Sequence, residues 1–169
     1  MKARHIILCV ICIIAVAMGI LFFCALEKHN GQLAKIARLP DVALITVDGN
    51  EFNLSELRPE RKVVLLFFSP DCEYCRKELK GILSHRGKFD GVDWIFVTIS
   101  PIEELMNFLS EYPLDSILGA KVCLEDSPEL FMAFDVTSPP SIFIYDADGT
   151  LENYKRGAVS IKTILEWIR

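Results

Sequence analysis

Cys72 and Cys75 stand in the run Phe67-Phe68-Ser69-Pro70-Asp71-Cys72-Glu73-Tyr74-Cys75-Arg76-Lys77-Glu78-Leu79, two thiols separated by two residues. The apolar run Val63–Phe68 before them reads as a buried strand, and the residues after them as a helix. A Cys-x-x-Cys pair at such a junction suits thiol–disulfide exchange. The helix directs free N–H groups and the positive end of its dipole at Cys72, which favours the thiolate, the attacking species. Cys75, one turn further in, is placed to attack a mixed disulfide formed on Cys72. Half a zinc site and a fixed structural disulfide are the competing readings of the pair. Zinc calls for about four ligands, and outside the N-terminal segment the chain adds only Cys123, His29 and His85 as soft ligands. No metal site is therefore expected.

The elements that must position these thiols follow from composition and pattern. The chain has 169 residues and is 51% hydrophobic, but the apolar content is uneven. Ile6–Leu26 carries no charged residue, and at about 1.5 Å per residue it spans a hydrocarbon core of about 30 Å. Lys2 and Arg4 precede it, which predicts a cytoplasmic N-terminus with the remainder outside. A cleaved signal peptide would have a shorter apolar region and a small-residue cleavage site, and Phe23 is too bulky before Cys24 for a lipidated cysteine. The expected organisation is a retained membrane anchor over residues 1–26, a polar linker or stalk over 27–38, and a globular domain over 39–169. Cys9, Cys12 and Cys24 fall in the anchor and read as small apolar side chains.

Without Lys2 and Arg4, the rest of the chain is two charges more acidic than the whole-chain net of −5. Nucleic-acid binding, which needs a basic footprint, is excluded on that ground. The globular part is long enough to bury its own core without disulfide staples.

Within that part, Val42–Val47 and Glu51–Leu54 read as strands joined by Asp48-Gly49 turn chemistry. Val63–Phe68 is a continuous apolar run, the pattern of a central strand, and Cys72–Ser84 is the helix after it. Trp94–Ile99 is the next strand. Ser100-Pro101-Ile102-Glu103 fits a capping box with proline at the first helical position, opening a helix to Ser110. Lys121–Leu124 is a short strand, and Ser127-Pro128-Glu129 opens a helix through Phe134. Ser141–Tyr145 and Leu151–Lys155 form a hairpin across Asp148-Gly149, and Ile161–Ile168 closes the chain as a helix. Strands linked by helices predict a parallel centre, and the last hairpin an antiparallel edge. Trp94, Phe96, Phe131 and Phe134 read as core, Cys123 as a buried inert thiol, and His85 as a structural residue near the end of the redox helix.

Three signatures, Cys72-Glu73-Tyr74-Cys75, Ser138-Pro139-Pro140-Ser141 before a strand, and Asp146-Ala147-Asp148-Gly149 before the last hairpin, resemble those of membrane-anchored thioredoxin-like oxidoreductases of the TlpA/ResA type. The resemblance covers about Leu39–Arg169. It implies an α/β thioredoxin fold: a mixed central sheet flanked by helices, with an N-terminal hairpin and a βα insertion, preceded by one transmembrane helix. It implies an enzyme on the periplasmic side of the cytoplasmic membrane, recharged by a thiol-transferring membrane electron donor and acting on disulfide-bearing proteins. No cofactor beyond the Cys72–Cys75 disulfide is implied.

The same resemblance assigns roles to further residues. Pro140 falls where the family keeps a cis-proline facing the dithiol. Pro139 departs from the pattern, because it has no N–H with which to hold an extended substrate. Glu78 matches an acidic helix position that handles protons beside the dithiol. Its spacing from Cys75 places the two together on the helix, although a solvated helix glutamate fits that spacing equally. Leu66 replaces the aspartate that thioredoxin buries under its dithiol. Asp71 replaces a tryptophan, and with Glu73 it sets negative charge beside Cys72, opposing the dipole. A less stabilised thiolate means a more reducing dithiol, so a protein-disulfide reductase is expected. A peroxiredoxin-like peroxide reductase and a membrane-tethered metal-binding module are the alternatives on this fold. Pro70-Asp71-Cys72 lacks the threonine of the first, and the cysteine spacing is narrower than that of the second.

Overall fold

A computed structural model describes the backbone of residues 2–57, 60–125 and 129–169, and their side chains except at 2–4, 6–10, 12, 28–30 and 32. The chain divides into two compact units, Met1–Lys35 and Ile36–Arg169.

The first unit is helical: α1 spans Lys2–Ile36. Among its described side chains, Ile13, Val16, Leu21, Phe22 and Phe23 are all exposed and lie on different sides of the helix. A helix apolar all round has no face reserved for water. Among the described residues no helix is long and apolar enough to cross a membrane. Of the span expected to do so, the side chains of residues 6–10 and 12, Cys9 and Cys12 among them, lie outside the description. The segment expected as a linker is helical through Ile36. Gln32, Leu33, Ala34 and Lys35 all favour a helix, which accounts for the continuation.

The second unit is built on one seven-stranded sheet. Its strands are β1 (Ala43–Thr46), β2 (Glu51–Asn53), β3 (Lys62–Phe67), β4 (Val92–Thr98), β5 (Ala120–Leu124), β6 (Ser141–Tyr145) and β7 (Leu151–Arg156), in the order β2-β1-β5-β4-β3-β6-β7. The three central strands β5, β4 and β3 run parallel, and β1, β2, β6 and β7 pair antiparallel. The parallel centre and the antiparallel final hairpin match the expected order. The helices are α2 (Glu73–Ser84), α3 (Ile102–Glu111), α4 (Glu129–Ala133) and α5 (Ile161–Trp167).

Strands β3, β4 and β6 are apolar along most of their length, as suits a sheet covered on both faces, with Lys62, Asp93, Thr98 and Ser141 the polar exceptions near their ends. Val64, Leu66 and Phe68 join Trp94, Phe96, Ile142 and Ile144 in a core closed by Leu79 and Ile82 of α2, Leu105 and Phe108 of α3, and Ile164 of α5. The intervening side chains serve the opposite face. There Phe67 lies 4.9 Å from Phe131, 5.2 Å from Phe134 and 5.8 Å from Phe143, ring centre to ring centre. Tyr145 is also buried and donates its hydroxyl to the Ile36 carbonyl at 2.9 Å.

The capping box expected at Ser100 does not form. The Thr98 hydroxyl donates to Ser100 Oγ and accepts from the Ser100 N–H, each at 3.2 Å, turning the serine back toward β4. Pro101 occupies the cap position instead, and its carbonyl receives the Leu105 N–H. The helix expected from Ser127 begins at Glu129 as far as it is described, with Ser127 and Pro128 outside the described residues.

Phe67 is the aromatic residue on which the second core converges. Phe67→Ala should cost about 3–5 kcal/mol, read as a fall in the urea midpoint with the slope of the transition kept. A loss below about 1 kcal/mol would contradict the packing described.

Candidate functional site: a dithiol at a helix start

Strand β3 delivers the chain to the site. The Phe68 N–H continues the ladder to the Val97 carbonyl, and Ser69-Pro70-Asp71 then turns, closed by the Cys72 N–H on the Ser69 carbonyl at 3.1 Å. Cys72 is the N-cap residue of α2, extended at φ −81° and ψ 114°. Its Sγ accepts the Cys75 N–H at 3.3 Å. The sulfur therefore takes the place usually held by a serine or aspartate oxygen, on a free donor at the positive end of the helix. Cys72 is partly exposed and Cys75 fully buried behind it, and both are free thiols.

The second wall comes from β6. Phe67 at the end of β3 pairs with Ser141 at the start of β6. That register brings the preceding loop, Ser138-Pro139-Pro140, against the dithiol. The Pro139–Pro140 peptide bond is cis, as expected at this position. The Cys72 thiol donates to the Pro139 carbonyl at 3.5 Å. Having no N–H, Pro139 presents the site with an acceptor alone.

Arg76 braces the turn. Its Nε donates to the Pro70 carbonyl at 2.8 Å, and its guanidinium lies over the Phe108 ring at 5.7 Å. Nothing in the sequence pattern distinguishes this arginine from any surface residue one turn into a helix. Asp71, Glu73 and Tyr74 are all exposed, and Tyr74 retains 69% of its accessible surface. They flank Cys72 in the chain and make no described hydrogen bond to it.

Glu78 is not a solvated helix glutamate. It is buried, with 6% of its surface exposed, and its Oε2 accepts the Val159 N–H at 2.7 Å while Oε1 has no partner. Burial pushes its carboxyl up from 4.5 to about 7, and the Val159 hydrogen bond offsets part of that rise. Burial also pushes the Cys75 thiol well up, and the hydrogen bond from Cys72 and the charges of Cys72 and Glu78 add to it. The two buried acids thus sense one another within one helix. The Val159 donor lies 81 residues further along the chain. As a main-chain group it leaves no mark on sequence.

The remaining candidates are structural. Burial pushes the Cys123 thiol up to about 12, as suits an inert core cysteine. His85 Nδ1 bonds the Gly81 carbonyl at 2.9 Å at the end of α2. Leu66 is fully buried where a carboxylate would sit in thioredoxin.

Residues 37–154 match the AhpC/TSA family. Methylamine utilization protein MauD of Methylobacillus flagellatus is 28% identical over 116 residues, 68% of this chain and 54% of that protein, so the chain spans about half of that relative. Thiol-disulfide oxidoreductase ResA of Bacillus subtilis is 23% identical over 162 residues, covering 94% of this chain and 88% of that one. A secreted disulfide oxidoreductase of Mycobacterium tuberculosis superposes with a TM-score of 0.66 at 19% identity, over 76% of this chain and 94% of that chain. At that identity the likeness establishes the fold, which is thioredoxin-like.

The raised carboxyl of Glu78 makes stability depend on pH. A buried acid whose folded value exceeds its unfolded one binds its proton more tightly in the folded state. The contribution of Glu78 to stability is therefore greatest below about 4.5, is lost as pH rises through about 7, and changes no further once the carboxyl is ionised in both states. The loss is on the order of 3 kcal/mol. Glu78→Gln retains an acceptor for Val159 and removes the charge. It should be more stable than the parent at pH 8 and equal to it at pH 4, as read by urea denaturation. An equal offset at both pH values would show that the carboxylate is not the cause.

Proposed function

We propose that this chain, which belongs to the AhpC/TSA family, is a thiol–disulfide oxidoreductase that reduces protein disulfides through Cys72 and Cys75. The observation that carries the reading is the N-cap geometry: a partly exposed sulfur on a helix-terminal N–H, with a buried second thiol one turn behind. The thiolate of Cys72 attacks one sulfur of a substrate disulfide. The substrate S–S bond breaks, one substrate thiolate leaves and takes a proton, and a mixed disulfide joins Cys72 to the substrate. Cys75 then gives up its proton and attacks Cys72 Sγ. The Cys72–Cys75 disulfide forms and the second substrate thiol departs. Two electrons and two protons have passed to the substrate, carried by the sulfurs themselves with no further cofactor. A donor dithiol restores the reduced pair.

Burial holds the Cys75 thiol protonated. Glu78, with its carboxyl near 7 and a free Oε1, is the group suited to receive that proton. The Cys72 thiol donates to the Pro139 carbonyl, a contact that only the protonated sulfur makes, and this supports the reductive direction. Location belongs to the same reading. The uncharged run Ile6–Leu26 behind Lys2 and Arg4 supports a membrane anchor, with residues 39–169 on the periplasmic side and a membrane thiol donor within reach.

Cys75→Ser should accumulate mixed disulfides on Cys72 in cells, seen on non-reducing gels and lost on reduction. Their absence would sink the exchange mechanism. The glutathione equilibrium of the parent protein should place the dithiol nearer about −270 mV than about −120 mV. Hydroperoxide consumption faster than disulfide reduction would move the reading to a peroxide reductase.

A further inference from the structure

We propose that Arg156 is a positioning residue for Cys72: it fixes the loop that carries the Pro139 carbonyl and, through that carbonyl, restrains the reactivity of the Cys72 sulfur. The proposal rests on the reading of Cys72 as the attacking thiol.

Arg156 holds the loop at both ends. Its backbone pairs with Ser141, the residue after Pro140, and the next N–H, that of Gly157, donates to the Pro140 carbonyl at 2.8 Å. Its side chain crosses the rings of Tyr154 and Phe143, at 5.3 Å and 5.8 Å. It then reaches the other end of the loop, where α4 stops. There Nε donates to the Asp135 carbonyl and the terminal NH2 to the Phe134 carbonyl, each at 2.9 Å. These are the first two residues beyond α4, where the chain leaves the helix and its carbonyls have no helical partner, and one guanidinium takes both. Asp135 itself is left-handed at φ 52°, the only non-glycine residue with positive φ among the described residues. Its carboxylate stands 3.8 Å from the same guanidinium.

Between these two anchorages the chain runs from Val136 to Pro139, with Thr137 and Ser138 exposed. Little packing holds the loop, so its position depends on its ends. The Val136 N–H on the Phe131 carbonyl at 2.8 Å and the Ser141 hydroxyl on the Ser138 carbonyl at 3.2 Å are its further described restraints, and neither holds Pro139 itself. What the loop presents to Cys72 is one carbonyl oxygen at 3.5 Å. A thiol satisfies that oxygen by donating to it. A thiolate would face a lone pair there and lose the hydrogen bond. Loosening the loop removes this restraint and leaves the sulfur on the Cys75 N–H alone.

A lysine keeps the charge of Arg156 but cannot fork to two carbonyls, which separates loop anchorage from a through-space field. The test compares the full-length reduced chain with Arg156→Lys and Arg156→Ala. The readout is the rate of iodoacetamide alkylation at Cys72 at pH 6.5, located by mass spectrometry, with folding checked by near-ultraviolet circular dichroism. Both variants should react about three- to tenfold faster than the parent, the equivalent of one modest hydrogen bond. Rates within twofold of the parent in both, or slower alkylation confined to Arg156→Ala, would overturn the proposal. If Arg156→Ala does not fold, Arg156→Lys decides alone. Failure of the parent dithiol to exchange with glutathione would instead remove the oxidoreductase reading, whatever the alkylation rates.

Discussion

The antiparallel pairing of β3 with β6 is the constraint on which the site depends. Its register sets Phe67 opposite Ser141. The first residue lies five positions before Cys72 and the second directly follows Pro140. Two loops far apart in the chain must then meet at one edge of the sheet. A slip of β6 by one residue would turn Phe143 away from Phe67 and Phe134 and into the opposite core. The aromatic cluster thus holds the chemistry in place without touching it. Arg76 from α2 and Arg156 from the end of β7 complete the arrangement, each occupying main-chain carbonyls that the turns leave free.

Around that edge, the charge of the reacting groups is set mainly by burial. Cys75 and Glu78 share one face of α2 and are both withdrawn from water. Each is pushed toward its neutral form. The only described polar relief on Glu78 is the Val159 amide, while its second oxygen stays unpaired. A buried carboxyl left half satisfied costs stability, and such a cost is most readily tolerated where a proton has to move. Cys72 differs because it keeps both an exposed side and a hydrogen-bonding cap.

Much of this was legible in the sequence. The unbroken apolar run Val63–Phe68 announced a central strand, and the two cysteines after it announced the site. The cis bond before Pro140 followed from resemblance. The environment of Glu78 was not legible, because its spacing from Cys75 fits a solvated and a buried side chain equally. Only the packing of the Val159 segment against α2 decides between them. The arginine braces were invisible for a related reason: their partners are carbonyls, which every residue carries. Local signals misled at Ser100, where the hydroxyl found Thr98 rather than the helix, while residues 27–36, read as a linker or stalk, are helical.

The short contact between Val159 and Glu78 gives the molecule a built-in spectroscopic witness. An amide proton held at 2.7 Å N···O by a carboxylate resonates in a position that depends on the charge of its acceptor. Following that one magnetic resonance signal through neutral pH would read the ionisation of an acid hidden beneath the sulfur pair. It would do so without labelling, oxidising or replacing a single cysteine.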